Sequence, residues 1–490
     1  MKKQQSKLVL RALVALLLVF VTLLTAACGG KGGKTPVATT APQTEGNGPT
    51  ASANPLETVE VRNFDRDIMV LSAGYTNGWM VQGVDYENTV AGEPIAEVVY
   101  KRTLAFEEKY NTTVFSTGTD SNSVYKALEA SVRMNAADYD LVLPHPTDGL
   151  ATMMLSGWFT DLNTVETIDL TGAWYNQSQI ENYTSNNKLY IATSDIIVQG
   201  QSFIALVYNR ALMAKYNFET DVKTLVEEKK WTMEALDEML TVTESSSTGE
   251  EEQVYGLAFN YASIGRWMYA MGETILQRGT DGSFTAGCKN NKMLSIARSL
   301  DKLLNSHGDA VVLSKAYSTQ LAASDVWKAF SAGNALFLTW DIGGCYNYLR
   351  ELSFNVGYAP LPLHDDKQND YYINCAAGLF AIPTTAYSLE ESGLMFEFMS
   401  RYSYVNLRPV FFETILGGRL SEFPEDYAML EFLHNHKSWD FGYTLDEDAA
   451  YLDCLIKPVV ENKTPDSVSI QLSALRKVMT EILEQANGIQ

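Results

Sequence analysis

Histidine and cysteine are both scarce, five of each in 490 residues, and no Cys-x-x-Cys pair or other zinc-like spacing occurs. His434 and His436 stand two apart, which on a helix turns them in different directions and argues against a metal pair. His307 and His364 sit in polar stretches and are expected to be solvated. Positive charge is short as well: 37 Lys and Arg face 59 Asp and Glu, a formal net charge of −22. Binding to a phosphate backbone needs the opposite balance, so no nucleic-acid partner is expected. HExxH, GxSxG, Walker A and GxGxxG stretches are missing from suitable contexts, so neither enzyme nor cofactor nor metal site is expected. In TESSSTGEEEQVYG, serines and threonine stand where a calcium loop needs spaced aspartates. The one long apolar run, Leu13 to Leu24, is too short to cross a bilayer comfortably.

That run follows Lys2, Lys3, Lys7 and Arg11, the layout of an export signal. It ends in Thr25-Ala26-Ala27-Cys28, which resembles the lipobox of bacterial lipoproteins, with Thr25 where leucine is usual. The resemblance implies cleavage after residue 27, a lipid on Cys28 and localisation on the outer face of the cell membrane. Loss of the four N-terminal cations takes the formal charge from −22 to −26. Residues 29–55 have almost no apolar side chains and cannot offset the entropy of folding. As a coil they span about 30 Å, so residues 28–60 read as a lipid-anchored flexible linker. The four remaining cysteines, Cys288, Cys345, Cys375 and Cys454, allow three pairings; a large core does not need them, and buried thiols are expected.

The rest, 46% hydrophobic over the whole chain, is too long for one core. DIMVLSAGY reads as a strand, IAEVVYKRTLAFEEKYN as a helix with Ile95, Val98, Val99 and Phe106 on one face, and TTVFSTG as a second strand. A helix with Val124, Leu128 and Val132 at i, i+4 and i+8 then leads into DLVL, a short strand suited to burial on both faces. This alternation predicts a parallel α/β sheet whose ligand loops leave the carboxyl ends of strands. Further on, Thr232 is placed to cap a helix, with Ala235 in place of the capping-box Glu. Gly333 stops another helix before the strand ALFLT. From Ala386 onward the chain reads as mainly helical, with a loop around GGRLSEFPED.

Several stretches, in order, resemble the extracellular solute-binding proteins of ATP-driven uptake systems, the broad family that includes maltose-binding protein. They are YDLVLPHPTDGLATMMLSGWFTDL, NKLYIATSDIIVQGQSFIALVYNRALMAKY, WTMEAL, FSAGNALFLTW, VGYAPLPLHDDKQNDYY and FAIPTTA, within residues 65 to 460. The resemblance implies a type II periplasmic-binding-protein-like α/β fold with two lobes, a hinge and an interlobe ligand cleft. Lobe one is expected at 61–196 plus 380–420, and lobe two at 197–379 plus 421–490. The chain would cross between them near Ser194 to Gln199, near Ala377 to Ala381, and within Pro409 to Pro424. It further implies a monomer that closes on a small solute and hands it to ABC permease transmembrane subunits.

A neutral sugar needs flat rings and planar polar side chains, and the chain holds 26 tyrosines and 8 tryptophans. The resemblance places candidate ligand contacts at Tyr75 and Trp79 after the first strand, and at His145, Thr147 and Asp148 after DLVL. It adds Gln199 at the first crossing, with Asp195 nearby, and Tyr261, Arg266 and Trp267 in FNYASIGRWMYAMG. Trp340 and Asp341 follow ALFLT. Asp148 equally suits a helix cap, Trp267 equally suits a core, and Trp327 reads as core. A carbohydrate is the favoured solute, with a peptide, a polyamine or a sensing role as alternatives on the same fold. A surface glycosidase would need a marked pair of carboxylates, and nothing marks one.

Overall fold

Ile68–Ser72 (β1), Val114–Gly118 (β2) and Leu141–Leu143 (β3) form a parallel sheet in the order β2-β1-β3, with Ile68 opposite Val114 and Val70 opposite Leu141. Helices Pro94–Tyr110 (α1) and Ser121–Arg133 (α2) make the crossovers. The apolar spacing works as expected: Ile95, Val99 and Phe106 are buried, as are Val124 and Leu128 on α2. The computed structural model describes residues 54–73, 94–118, 121–145, 149–200, 203–218, 220–246, 253–260, 263–287, 290–307, 310–313, 324–342, 348–349, 351–375, 378–446 and 466–488. The export signal, Cys28 and the linker up to residue 53 lie outside the described residues, as do Cys288, Cys345, Cys454 and much of TESSSTGEEEQVYG.

Two short helices, Leu150–Leu155 (α3) and Gln177–Tyr183 (α4), precede Ala192–Thr193 (β4), which pairs antiparallel with Leu379–Phe380. The start of the described chain is fastened to this first lobe. Lys109 Nζ donates to the Val59 carbonyl (3.0 Å), the Tyr110 hydroxyl donates to that of Glu60 (2.9 Å), and Arg66 pairs with Asp140 and Glu391.

The second sheet is mixed. Its strands are Ile204–Asn209 (β5), Tyr255–Phe259 (β6), Val311–Leu313 (β9), Ala335–Asp341 (β10) and Val356–Ala359 (β11), in the order β11-β5-β10-β6-β9. A separate hairpin joins Leu276–Arg278 (β7) to Phe284–Ala286 (β8). Around these strands lie Arg210–Tyr216 (α5), Val222–Glu227 (α6), Met233–Ser246 (α7), Ile264–Ala270 (α8), Asn290–Asn305 (α9) and Asp325–Ser331 (α10). Thr232 caps α7 as its sequence suggests, its Oγ1 accepting from the Ala235 amide at 3.3 Å. Gly333 takes φ +84° after α10, the left-handed turn that glycine adopts without strain.

The chain passes between the two sheets three times. The first passage runs from β4 to β5, and the second from Ile373–Asn374 (β12) to Leu379–Phe380 (β13). The third follows Leu389–Tyr402 (α11), which packs on α1. Here the structure departs from the expected loop around GGRLSEFPED: helical backbone continues through widened π turns at Ser403–Leu407 and Phe411–Leu420. Pro409 lacks an amide hydrogen and its ring crowds the preceding turn, and widened turns let the helix carry on past such a residue. Pro424–Asn435 (α12), Lys437–Ser438 (β14), Phe441–Leu445 (α13) and Asp466–Gly488 (α14) complete the chain.

Two histidines are not where their polar neighbours suggest. His307 is 5% exposed, with Nε2 at 2.8 Å from Asp237 Oδ1, and His364 is half-buried beside Ser295 Oγ at 2.9 Å. In both, the ring has replaced water with a protein partner, which short-range sequence polarity does not foretell.

Candidate functional site

The ends of the strands set out the site. His145 follows β3 in the first lobe, Asp341 closes β10 in the second, and Arg266 stands on α8 just beyond β6. Arg266 Nη1 donates to Asp341 Oδ2 at 3.0 Å, with side chains 20% and 26% exposed. Burial works against the guanidinium's charge, but Asp341 and the nearby Tyr443 and Cys375 outweigh it and leave the Arg266 pKa raised. His145 is pushed down to about 4 by burial first and by Arg266 second. An imidazole at the end of the first sheet thus sits in the field of a guanidinium on α8. At neutral pH that imidazole is uncharged and can both donate and accept, while the Arg266–Asp341 pair adds donors and acceptors with little net charge.

The other expected contacts divide. Trp340 precedes Asp341 on β10 and is 4% exposed, pairing in register with Ala205. Trp267 is wholly buried, its indole 5.3 Å from the Phe259 ring, the surroundings of the core alternative read from the sequence. Trp327 is buried against Phe330, as read from the sequence. Tyr75, Trp79, Thr147, Asp148 and Tyr261 lie outside the described residues, and so does the side chain of Gln199. Tyr443 was missed: it lies far from α8 in sequence, and only the tertiary fold brings it to Arg266.

A second polar cluster lies where the crossings meet. Asp195, on the first, takes an ion pair from Arg408, on the third, at 3.4 Å. Lys437 lies beside them, its Nζ donating to His434 Nε2 at 2.9 Å, and burial pushes Lys437 down to about 8. Burial, Lys437 and Arg408 together hold His434 well below its ordinary value, leaving the neutral ring as acceptor. Cys375 is a buried thiol close enough to Lys437 to affect its charge. A cavity of about 170 Å³, walled by Trp174, Asn176, Asp195, Arg408 and His434, is roomy and polar enough for water.

Burial raises Asp195 to about 6, with Arg408 and Lys437 pulling the other way. A carboxyl with a raised folded pKa binds its proton more tightly when folded. Its contribution to stability is present below its unfolded pKa and is lost as pH rises through the folded one. The shift corresponds to about 3 kcal/mol, lost between about pH 4 and about pH 6. In denaturant titrations, wild type should lose about this much relative to Asp195→Asn between pH 4 and pH 7. A constant difference between the two proteins would refute the assignment.

Among the described residues, no cluster of His, Cys, Asp and Glu is arranged to hold a metal, and no helix is long and apolar enough to cross a membrane. No protein-family model and no curated protein matches the sequence. Solved structures do match. The chain is similar to the cyclic alpha-maltosyl-1,6-maltose binding protein from Arthrobacter globiformis, with TM-score 0.59 and 13% identity over 85% of this chain and 99% of that one. It is similar to the GacH receptor of Streptomyces glaucescens GLA.O, known unliganded and with acarbose, with TM-score 0.55 and 13% identity over 85% and 99%. It is also similar to UgpB from Mycobacterium tuberculosis in complex with glycerophosphocholine, with TM-score 0.57 and 14% identity over 85% and 98%. The shared fold is the two-lobe, type II periplasmic-binding-protein arrangement, α/β lobes joined by a hinge with a cleft between them.

Proposed function

We propose that this chain is the extracellular solute-binding protein of an ABC importer, capturing a carbohydrate by hinge closure and delivering it to the permease. The observation that carries the reading is the cross-lobe grouping of His145 with Arg266 and Asp341 beside Trp340. Planar polar groups of low net charge suit an oligosaccharide or a modified sugar, and Trp340 is proposed as the ring for C–H stacking, although it is buried in the strand. The likeness to sugar-binding structures supports it. Tyr75, Trp79, Thr147, Asp148, Gln199 and Tyr261 are proposed to complete the cleft, with the lobe boundaries as read from the sequence. The protein acts as an exported monomer, held at the membrane by lipid on Cys28, and does not transform its solute.

A solute that touches both lobes favours the closed form by its difference in affinity for the two states. The test is a thermal-shift and calorimetric panel of maltotriose, raffinose, a tripeptide, spermidine and glycerophosphocholine. Ligand bound only by the folded form raises the Tm with concentration, by about 2.7 kcal/mol of stabilisation at 100 times Kd. A carbohydrate among the binders, recovered unchanged, is the expected result. Binding confined to the tripeptide or spermidine, or conversion of any compound to product, would overturn the reading. Glycerophosphocholine is included because a similarly related fold holds it.

A further inference from the structure

We infer that the cavity walled by Asp195, Arg408 and His434 is a second binding site, built for a small organic monocarboxylate and sharing no residue with the His145, Arg266 and Asp341 group. Its volume, about 170 Å³, exceeds the share of several waters and suits a molecule of a few heavy atoms. Its walls come from four places in the chain. Trp174 and Asn176 stand ahead of α4, Asp195 lies on the first crossing, Arg408 on the third, and His434 and Asn435 end α12.

The side chains on these walls are rich in donors. Lys437 Nζ donates to His434 Nε2 at 2.9 Å, so the neutral ring carries its proton on Nδ1. That Nδ1 makes no hydrogen bond, although the residue is only 5% exposed and the Asn435 side chain lies beside it. A buried donor in this state costs free energy that an acceptor in the cavity would restore. Asn176 gives its oxygen to the Gln179 amide at 3.0 Å, capping α4, and keeps its amide hydrogens. Arg408 makes one long bond to Asp195, 3.4 Å, and its side chain is 34% exposed, so most of its donor fork is open to a ligand entering from solvent. Trp174 and Tyr175 add no donor, since their polar hydrogens go to Glu397 at 3.4 and 2.7 Å. An imidazole N–H, a guanidinium and a carboxamide around one space fit the two oxygens of a carboxylate.

Charge selects a single negative unit. The ionisable groups around the cavity are Arg408, Asp195 and His434 on its wall, Lys437 beside His434, and the Cys375 thiol, close enough to act on Lys437. Glu397, on the far side of Trp174 and Tyr175, is paired with Arg401 at 2.6 Å. Arg408 and Lys437 thus face one carboxylate, which a monoanion balances and a dianion overshoots. Asp195 also makes the site pH-dependent. Its carboxyl, raised by burial to about 6, gains a proton as pH falls through that value. The repelling charge is then gone, Arg408 is released to the ligand, and the monoanion binds more tightly.

Acetate is the probe. Calorimetry and thermal shift on the whole protein, at constant ionic strength, should show saturable acetate binding about tenfold tighter at pH 5.5 than at pH 7.5. In NMR spectra the His434 ring should respond to acetate while the His145 ring does not. Arg408→Gln and Asn176→Asp should each weaken acetate binding about tenfold or more. Asn176→Asp keeps the α4 cap and sets a negative charge where a donor stood, so it serves if Arg408→Gln misfolds. Asp195→Asn should remove the pH dependence. Absence of saturable binding, equal binding by wild type and both weakened variants, a chloride response equal to that of acetate, or tighter binding of sulfate than of acetate would each overturn the proposal.

Discussion

Arg266→Met is expected to weaken solute capture about 100-fold and, in the same molecule, to raise the pKa of His145. The affinity loss follows from the charge-assisted bonds a guanidinium makes, about 1.5–3 kcal/mol each, and from leaving Asp341 without its counter-ion in a largely enclosed site. The pKa change follows from geometry. Arg266 depresses His145 across the gap between lobes, so removing its charge lets the imidazole climb back toward its ordinary range while burial still holds it down. Calorimetry reads the first effect and an NMR titration of the His145 ring reads the second. Wild-type binding by the variant would remove Arg266 from the solute site. An unmoved His145 titration would break the link between the two sides of the cleft.

The largest effect on stability is expected at Asp440. This buried carboxylate takes the amides of Ile275, Leu276 and Gly442, and burial raises its pKa to about 6 despite them. Asp440→Ala strands several buried donors at about 1–3 kcal/mol each, so unfolding should become easier by about 3–6 kcal/mol. The matching fall in Tm is about 5 °C for a chain of this length. Asp440→Asn keeps one acceptor oxygen and should lose markedly less. Equal losses in the two variants would mean that the charge matters rather than the acceptor geometry. The raised pKa adds a contribution of the same sign as that of Asp195, present at acid pH and lost as pH rises toward the folded value.

Local physics made much of the fold legible before any coordinates. The stripe Ile95, Val99, Phe106 needs only a helical period to find its buried face, and Thr232 and Gly333 mark helix ends through groups within three residues of themselves. What stayed hidden depends on partners far along the chain. His307 looked solvated because its neighbours are polar, yet Asp237 meets it from a different helix. Trp267 satisfied both a ligand pattern and a core pattern, and Phe259 decided for the core. The candidate site is a different case. Arg266, Asp341 and His145 were named through the family resemblance, while the Arg266–Asp341 pair, the field of Arg266 at His145 and the part of Tyr443 depend on elements far apart in sequence. The helical third crossing escaped because widened turns obey neither a 3.6-residue period nor the usual rule that proline ends a helix.

The most direct test of the central claim is solution scattering of the whole protein, titrated with the carbohydrate that gives the largest thermal shift. The account predicts a saturable fall in radius of gyration, with the midpoint of the calorimetric isotherm and with the solute recovered intact. A radius that stays constant while calorimetry reports saturation would contradict it.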